Sequence, residues 1–153
     1  MKRTCLITVF LCSSLMLAGC AGSQAASAER ASFLNTAELA QTLVQRDWDL
    51  FAGFQRAAFS ERISGDFLTD KYAFLNEAEA SFYEAVPMGL SFTVDKALMK
   101  NNKFAVTFTW QRKIADRNTG DLILKEGRGT IVYCEENGQW LIYKIQGNSI
   151  FTF

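Results

Sequence analysis

The residues of this chain that could perform chemistry are carboxylates and tyrosines, because its 153 residues include no histidine. Without histidine, serine-type and cysteine-type triads lose their usual base, and the common zinc sites lose a favoured ligand. The remaining option is an isomerase-like site, in which a carboxylate base faces a hydrogen-bond donor across a dry pocket. The residues that could form such a pair are Asp47, Asp49, Glu79, Glu84, Tyr72, Tyr83, Tyr133 and Tyr143. No motif separates these carboxylates from those of a solvated helix face, so we predict no catalytic residue.

A second group of residues could bind a ligand without catalysis. Trp110 and Arg112 share strand parity, so Arg112 extends an apolar row with a cation. At the mouth of a cavity, Arg112 could pair with an anionic ligand, although a charge at a strand end is more often solvated. The residues of the candidate pocket are Trp48, Trp110, Arg112 and Tyr133.

One polar loop invites comparison with a metal site. The segment "DRNTGD" places Asp116, Asn118 and Asp121 near one another. It lacks the spacing and the distal glutamate of a calcium-binding loop, so we predict a hairpin turn there. No glycine-rich phosphate loop opens a helix after a strand. We therefore predict no metal site and no cofactor.

The N-terminus has the pattern of a secretory signal. Two basic residues precede an apolar stretch of roughly 13 residues, too short for a spanning helix. The residues that end the apolar stretch, Leu17-Ala18-Gly19-Cys20, resemble the lipobox of bacterial lipoproteins. That resemblance implies that the Cys20 thiol takes a diacylglyceryl group, that cleavage precedes Cys20, and that lipid ties the mature protein to a membrane. The alternative is an ordinary secreted protein with a chance cysteine.

The residue after the lipobox cysteine bears on localisation. Position 21 is Ala rather than Asp, and in a Gram-negative cell the lipoprotein pattern then implies an outer-membrane protein facing the periplasm. In a Gram-positive cell the same anchor would lie on the outer face of the plasma membrane. Removal of Lys2 and Arg3 leaves 14 basic against 16 acidic residues. Since no basic patch stands out, we expect no nucleic-acid partner.

The chain divides into a signal peptide (1–19), a lipidated cysteine with a flexible tether (20–31) and one domain (32–153). The tether reads "AGSQAASAERA", small and polar. Asn35 and Glu38 resemble a capping box at the start of a helix of about 20 residues. A later helix ends before Pro87, and Tyr72, Leu75, Glu79 and Phe82 are spaced along it.

After Pro87 the hydrophobic period becomes two, which indicates strands. Four of them are expected, running approximately over residues 90–94, 104–111, 122–134 and 139–150. Gly127 and Gly129 inside the third strand suggest a bulge or a bend. Short links between the strands require antiparallel neighbours, so the sequence predicts an α+β fold in which N-terminal helices precede a four-stranded antiparallel meander.

The C-terminal sequence "GRGTIVYCEENGQWLIYKIQGNSIF" resembles the last hairpin of the nuclear transport factor 2-like superfamily, also described as cystatin-like or ketosteroid isomerase-like. The resemblance implies a cone-shaped fold in which helices pack on a curved sheet, commonly around a cavity. Members include ketosteroid isomerase-like and polyketide cyclase-like enzymes, ligand-binding modules, dimerisation domains and lipoproteins of unassigned role. The fold therefore does not select a function.

Our leading expectation is a lipid-anchored envelope protein that binds a small apolar or anionic ligand, or an envelope protein, without catalysis. One alternative is a small cavity enzyme of isomerase or cyclase type. Another is a structural homodimer formed through the sheet face that carries Thr107, Thr109 and Val132.

The anchor makes a direct prediction. Replacing Cys20 with Ala removes the thiol that would carry the lipid, so metabolic labelling with a radioactive fatty acid should be lost and the protein should leave the membrane fraction. Retention of Cys20→Ala in that fraction after a high-salt wash would contradict the anchor.

Overall fold

The computed structural model describes residues 21–152, with side chains from residue 35 onward. The lipobox and Cys20 lie outside the described residues. The chain divides into the units Met1–Ser32 and Phe33–Phe153, and the packing below belongs to the second. The described elements are α1 (Ala21–Ala52), α2 (Arg56–Glu61), α3 (Lys71–Glu84), β1 (Ala85–Lys100), β2 (Lys103–Asp116), β3 (Leu122–Glu136) and β4 (Gln139–Gly147).

The helices follow the predicted order, but α1 begins earlier than its sequence suggested. It is continuous from Ala21, so Asn35 lies inside the helix and the predicted capping box is wrong. The segment predicted as a flexible tether is helical from Ala21 onward, because its many alanines have the highest helix propensity. In α3, Asp70 caps the N-terminus by accepting hydrogen bonds from the amides of Tyr72 and Ala73. None of the described helices has the length and apolar content to cross a membrane.

The four strands form an antiparallel meander in the order β1-β2-β3-β4, which confirms the predicted α+β class. Two of its hairpins turn through residues with positive φ: Asn101 and Asn102 between β1 and β2, and Asn137 and Gly138 between β3 and β4. This is the backbone of a type I′ turn, whose twist matches that of the flanking strands. The turn chemistry therefore sets the register that places one face of each strand on the core.

The core lies between the sheet and the helices. Along β2, every second side chain is buried: Phe104, Val106, Phe108, Trp110, Arg112 and Ile114. Bulges at Met88 and Asp95 interrupt the pairing of β1 with β2, and a third shift occurs after Val132 in β3. Each bulge bends its strand and increases its twist, so the sheet curves.

Two glycines of β3 make room for other parts of the chain. The sequence suggested a bulge or a bend at Gly127 and Gly129, but the pairing of β2 with β3 is continuous through both glycines, so the bulge is wrong. A Cβ at Gly127 would lie 2.6 Å from the Trp110 ring, and a Cβ at Gly129 would lie 2.5 Å from the backbone oxygen of Asn148. The glycines thus allow residues 148–152, which we call the post-β4 segment, to cross closely over β3.

The fourth strand ends sooner than predicted. The sequence pattern extends it to residue 150, but β4 ends at Gly147, where φ is 75°. This left-handed conformation, which glycine adopts without steric cost, turns the chain out of the ladder. The amide of Asn148 then donates to the Arg128 carbonyl at 3.1 Å, and the post-β4 segment continues across the inner face of the sheet.

We predict that Gly129→Ala lowers the free energy of unfolding by about 1–3 kcal/mol, because its new methyl group would overlap backbone that cannot move freely. Urea denaturation measures the change. Gly89→Ala is the matched control, since a Cβ at Gly89 in β1 meets nothing within 4 Å. Equal effects of the two substitutions would contradict the proposed crossing.

Candidate functional site

The four side chains predicted to line a pocket are all buried. Trp48, Trp110, Arg112 and Tyr133 are each no more than 4% exposed, and the main cavities of the described part of the chain do not bring all four together. Trp48 and Tyr133 belong to the hydrophobic core, whereas Trp110 and Arg112 also border a shallow, open depression beside the post-β4 segment. Trp48 on α1 and Trp110 and Tyr133 on the sheet pack into the hydrophobic core, and Arg112 is buried beside it.

Arg112 points inward from β2, on the same face as Trp110, as its parity predicted. Its Nη1 donates to the Ile150 carbonyl at 2.7 Å and its Nη2 to the Thr152 carbonyl at 2.6 Å. The guanidinium carbon lies 5.1 Å from the centre of the Trp110 ring. Burial lowers the pKa of Arg112 to about 10. Arg112 thus binds the chain's own backbone, and it holds the post-β4 segment against the sheet.

The post-β4 segment places Phe151 in the centre of the core. Phe151 is fully buried, and its ring centre lies 5.6 Å from that of Phe51, 5.0 Å from Phe59 and 6.3 Å from Phe74. These distances are typical of tilted and edge-to-face aromatic contacts. The inside of the cone, where the superfamily resemblance implied a cavity, is therefore filled with aromatic side chains in this chain.

Asp47 is a fully buried carboxylate on α1, held by two arginines. Its Oδ1 lies 2.8 Å from Arg46 Nη2 and 3.4 Å from Arg62 Nε. Both arginines also donate to the Trp140 carbonyl of β4. Burial raises the pKa of Asp47, and the two arginines oppose that shift. The cluster joins α1, the segment after α2 and β4.

Tyr133 lies beside Asp47 but makes no hydrogen bond of normal geometry with it. The Tyr133 hydroxyl and Asp47 Oδ2 are both buried without such a partner among the described residues. They are near enough to affect each other's protonation: burial, followed by the charge of Asp47, raises the pKa of Tyr133 well above its ordinary value. An isomerase-like site requires a carboxylate and a hydrogen-bond donor in a dry pocket, and Asp47 beside Tyr133 has these two groups.

The other carboxylates and tyrosines considered for catalysis lie toward solvent. Asp49 and Glu84 are exposed, as are Tyr72 and Tyr83. Tyr143 is half-buried, with the Lys103 ammonium 3.6 Å from the centre of its ring. Across the described residues, no group of three or more acidic or cysteine side chains could hold a metal ion.

An open cavity of about 200 Å³ lies between α1, α2 and α3, and we call it the aromatic cleft. Most of its wall is apolar, and its edge carries a few polar groups. The lining residues are Leu50, Phe51, Phe54, Gln55, Arg56, Phe59, Ser60, Tyr72, Leu75, Asn76, Ala78, Glu79 and Phe82. An apolar wall with a few polar groups at one edge is the usual composition of a small-molecule site.

One edge of the cleft is formed by Phe54, which has a strained backbone. Its φ is 53°, an outlier for a bulky residue, and its side chain is 45% exposed. The Phe54 ring stacks on Phe82 with the ring centres 4.1 Å apart, and its edge meets Tyr83 at 6.1 Å. Such a conformation costs about 1–3 kcal/mol and concentrates at binding and active sites.

The polar edge of the cleft is an ion pair between α2 and α3. Arg56 Nη1 lies 2.9 Å from Glu79 Oε1, and Arg56 Nη2 lies 2.8 Å from Glu79 Oε2. This two-point geometry orients both side chains more firmly than a single contact would. Because both oxygens of Glu79 accept from Arg56, the cleft is suited to bind an apolar group rather than to remove a proton.

Part of this cleft has a sequence pattern, but the pattern alone indicates only a helix. Tyr72, Leu75, Glu79 and Phe82 are spaced along α3, and all four line the cleft. Phe54 continues the helical spacing of Leu39, Leu43 and Leu50. Its strained φ gave no signal, because it arises where the chain leaves α1 and is not encoded by a periodic pattern.

No protein-family model and no curated protein matches this sequence. Solved structures do match. A ketosteroid isomerase-like protein from Erwinia carotovora atroseptica is similar over 76% of this chain and 95% of its own, with a TM-score of 0.61 and 11% identity. A conserved protein from Planctomyces limnophilus is similar over 72% and 97%, with a TM-score of 0.59 and 20% identity.

A nuclear transport factor 2-like superfamily protein from Salmonella enterica covers 75% of this chain and 91% of its own, with a TM-score of 0.59 and 11% identity. At such low identities these likenesses concern architecture, since unrelated functions share this fold. The order of three helices and a four-stranded antiparallel meander is the same architecture that the last hairpin suggested. The chain has the nuclear transport factor 2-like, ketosteroid isomerase-like fold.

Proposed function

We propose that this protein is a lipid-anchored, non-enzymatic binding module of the cell envelope, and that the aromatic cleft binds a small apolar ligand. The observation that carries the proposal is the cleft itself: a cavity open to solvent whose wall is built mainly from phenylalanine, leucine and tyrosine side chains. Burying apolar ligand surface there is favourable by about 25 cal/mol per Å².

The lipid anchor rests on the lipobox and on the signal that precedes it. Ala21 after the lipobox cysteine favours an outer-membrane location facing the periplasm if the host is Gram-negative. An apolar ligand fits such a setting, because apolar molecules partition to membranes and need a protein site to leave them. The proposed role is thus to hold a sparingly soluble molecule near the membrane.

Binding is favoured over catalysis because the acidic groups near the cleft are already engaged. Glu79 is paired with Arg56 at the edge, and Asp47 is buried beneath two arginines. A general base must reach the proton that it abstracts, directly or through one water. Both oxygens of Glu79 are paired with Arg56, and Asp47, although its Oδ2 has no partner of normal geometry among the described residues, is fully buried and does not line the cleft.

We predict that the protein binds the neutral apolar fluorophore N-phenyl-1-naphthylamine. Phe82→Ala should weaken this binding about two- to twelvefold, the effect of losing one aromatic contact of about 0.5–1.5 kcal/mol. Fluorescence titration gives both affinities. Leu68→Ala is the control, since Leu68 is 57% exposed and does not line the cleft. Absence of binding to the natural chain, or equal losses in both variants, would contradict the site.

A second candidate function is an isomerase-type enzyme, favoured by the position of Asp47 beside Tyr133. Under our proposal Asp47 instead has a structural role. Its raised pKa means that the folded protein holds a proton there more readily than the unfolded chain does. The stability that Asp47 contributes is therefore fully present below its ordinary pKa of 3.8, and it is lost as the pH rises through the raised pKa.

Asp47→Asn tests this role, because asparagine does not titrate. The stability advantage of the natural chain over Asp47→Asn should shrink as the pH rises from about 4 toward neutral, measured by urea denaturation at several pH values. Asp49→Asn, which removes an exposed carboxylate from the same helix, is the matched variant. If the free energies of unfolding of the two variants changed identically with pH, the buried cluster around Asp47 would not be the cause of the pH dependence.

Association through the outer face of the sheet is a further proposal. Thr107 and Thr130 share a 2.9 Å hydrogen bond on that face, and Thr109 donates to Asp95 at 3.0 Å. These contacts leave the face more polar than the cleft, so we place ligand binding at the cleft. Sedimentation at several protein concentrations would detect a homodimer.

A further inference from the structure

The inner wall of the aromatic cleft is shared with the core around Phe151. Phe51 and Phe59 line the cleft and also contact the Phe151 ring, with ring centres 5.6 Å and 5.0 Å apart. These two side chains separate the cleft from the space that Phe151 occupies. If the Phe151 side chain moved out, small rotations of Phe51 and Phe59 would extend the cleft toward the sheet and Arg112.

The segment that carries Phe151 is not part of the sheet ladder. At its start the Asn148 amide donates to the Arg128 carbonyl of β3. The segment is also held by side chains of β2: Trp110 Nε1 donates to the Asn148 carbonyl at 3.2 Å, and Arg112 donates to the carbonyls of Ile150 and Thr152. Within the segment, the Phe151 amide donates to the Ser149 hydroxyl at 3.1 Å. Side-chain contacts of this kind can be transferred to a ligand without breaking the pairing of any strand.

The groups that the post-β4 segment places against the core indicate which class of ligand could replace it. It offers an apolar aromatic body, Phe151, together with two carbonyl oxygens, one for each terminal nitrogen of Arg112. A carboxylate also presents two oxygens, and it matches the guanidinium fork with a full negative charge. An apolar molecule that ends in a carboxylate therefore makes the same contacts as the segment, with a stronger polar one.

The volume of the aromatic cleft also favours a ligand that extends into the space occupied by Phe151. Ligand sites commonly measure about 300–1,000 Å³, whereas the aromatic cleft measures about 200 Å³. The cleft alone accommodates a small ligand or the end of a longer one. If Phe151 moved out, the rest of a longer ligand would fit in the space behind Phe51 and Phe59.

We infer that the post-β4 segment is a displaceable plug, and that an amphipathic carboxylic acid enters through the aromatic cleft, replaces Phe151 and places its carboxylate on Arg112. This inference rests on the proposed function, since it uses the same cleft as the entrance. It adds the ligand class, a fatty or aryl-alkanoic acid, and a conformational step that precedes tight binding.

The plug makes an unusual prediction: a variant that lacks a buried aromatic side chain should bind its ligand better. A site that is closed most of the time has its apparent affinity reduced by the open fraction. Phe151→Ala should therefore bind decanoate about tenfold or more tightly than the natural chain, measured by calorimetry. Phe104→Ala is the matched control, because Phe104 is equally buried but packs near Trp140. It should show no gain.

The charge preference is tested with decyltrimethylammonium, which has the same kind of chain with a cationic head. Phe151→Ala should gain no affinity for it, and the double variant Phe151→Ala/Arg112→Gln should lose the preference for decanoate. A measurement on the natural chain guards against poor folding of the variants. Saturating decanoate should speed hydrogen exchange of the Phe151 amide by about tenfold or more, without changing that of Val106 in β2.

The outcomes separate this inference from the proposed function. Binding of N-phenyl-1-naphthylamine, together with no gain in Phe151→Ala and unchanged exchange at Phe151, would overturn the plug while leaving the cleft as a binding site. A gain of equal size for decanoate and decyltrimethylammonium would overturn the role of Arg112. Loss of binding to every probe would overturn both.

Discussion

The attachment of the post-β4 segment to the sheet determines how the inside of this fold is used. Arg112, at 2% exposure, donates to two backbone carbonyls, and between them Phe151 enters the aromatic core. A buried guanidinium is costly unless its hydrogen bonds are made, so the segment and the arginine stabilise each other. Gly127 and Gly129 make the crossing sterically feasible. As a consequence, the space between the sheet and the helices is packed around Phe151, and the aromatic cleft lies among the helices.

The polar groups of the core follow from the same close packing. Asp47, Arg46 and Arg62 form a cluster that ties α1 to β4 through the Trp140 carbonyl. A buried charge is tolerated only when it is paired, and here the pairing uses one carboxylate oxygen and both arginines. The residues that most resemble a catalytic pair thus join elements of the fold, and the aromatic cleft, with its strained rim at Phe54, is where we propose that a ligand binds.

Much of the architecture could be predicted from the sequence, because it is encoded locally. Alternation with period two and the asparagine and glycine turns are sufficient for the antiparallel meander. That Trp110 and Arg112 face the same side of β2 was also predictable, because they are two residues apart in a strand. Features that depend on tertiary contacts were not: the sequence cannot show that Gly129 faces the backbone of Asn148 or that β4 stops at Gly147. For the same reason the sequence cannot show whether the candidate-pocket side chains line a cavity, since large inward side chains fill a core or line a cavity depending on which other side chains pack against them.

The most direct test of the central claim, that the aromatic cleft is the ligand site, is an NMR titration of the protein labelled with ¹³C in its phenylalanine rings. We expect N-phenyl-1-naphthylamine to shift the ring signals of Phe51, Phe54, Phe59 and Phe82, which line the cleft. The rings of Phe104 and Phe108, which lie on the inner face of β2, should not shift. Shifts confined to Phe104 and Phe108, or no shift in any ring at saturating probe, would contradict the account.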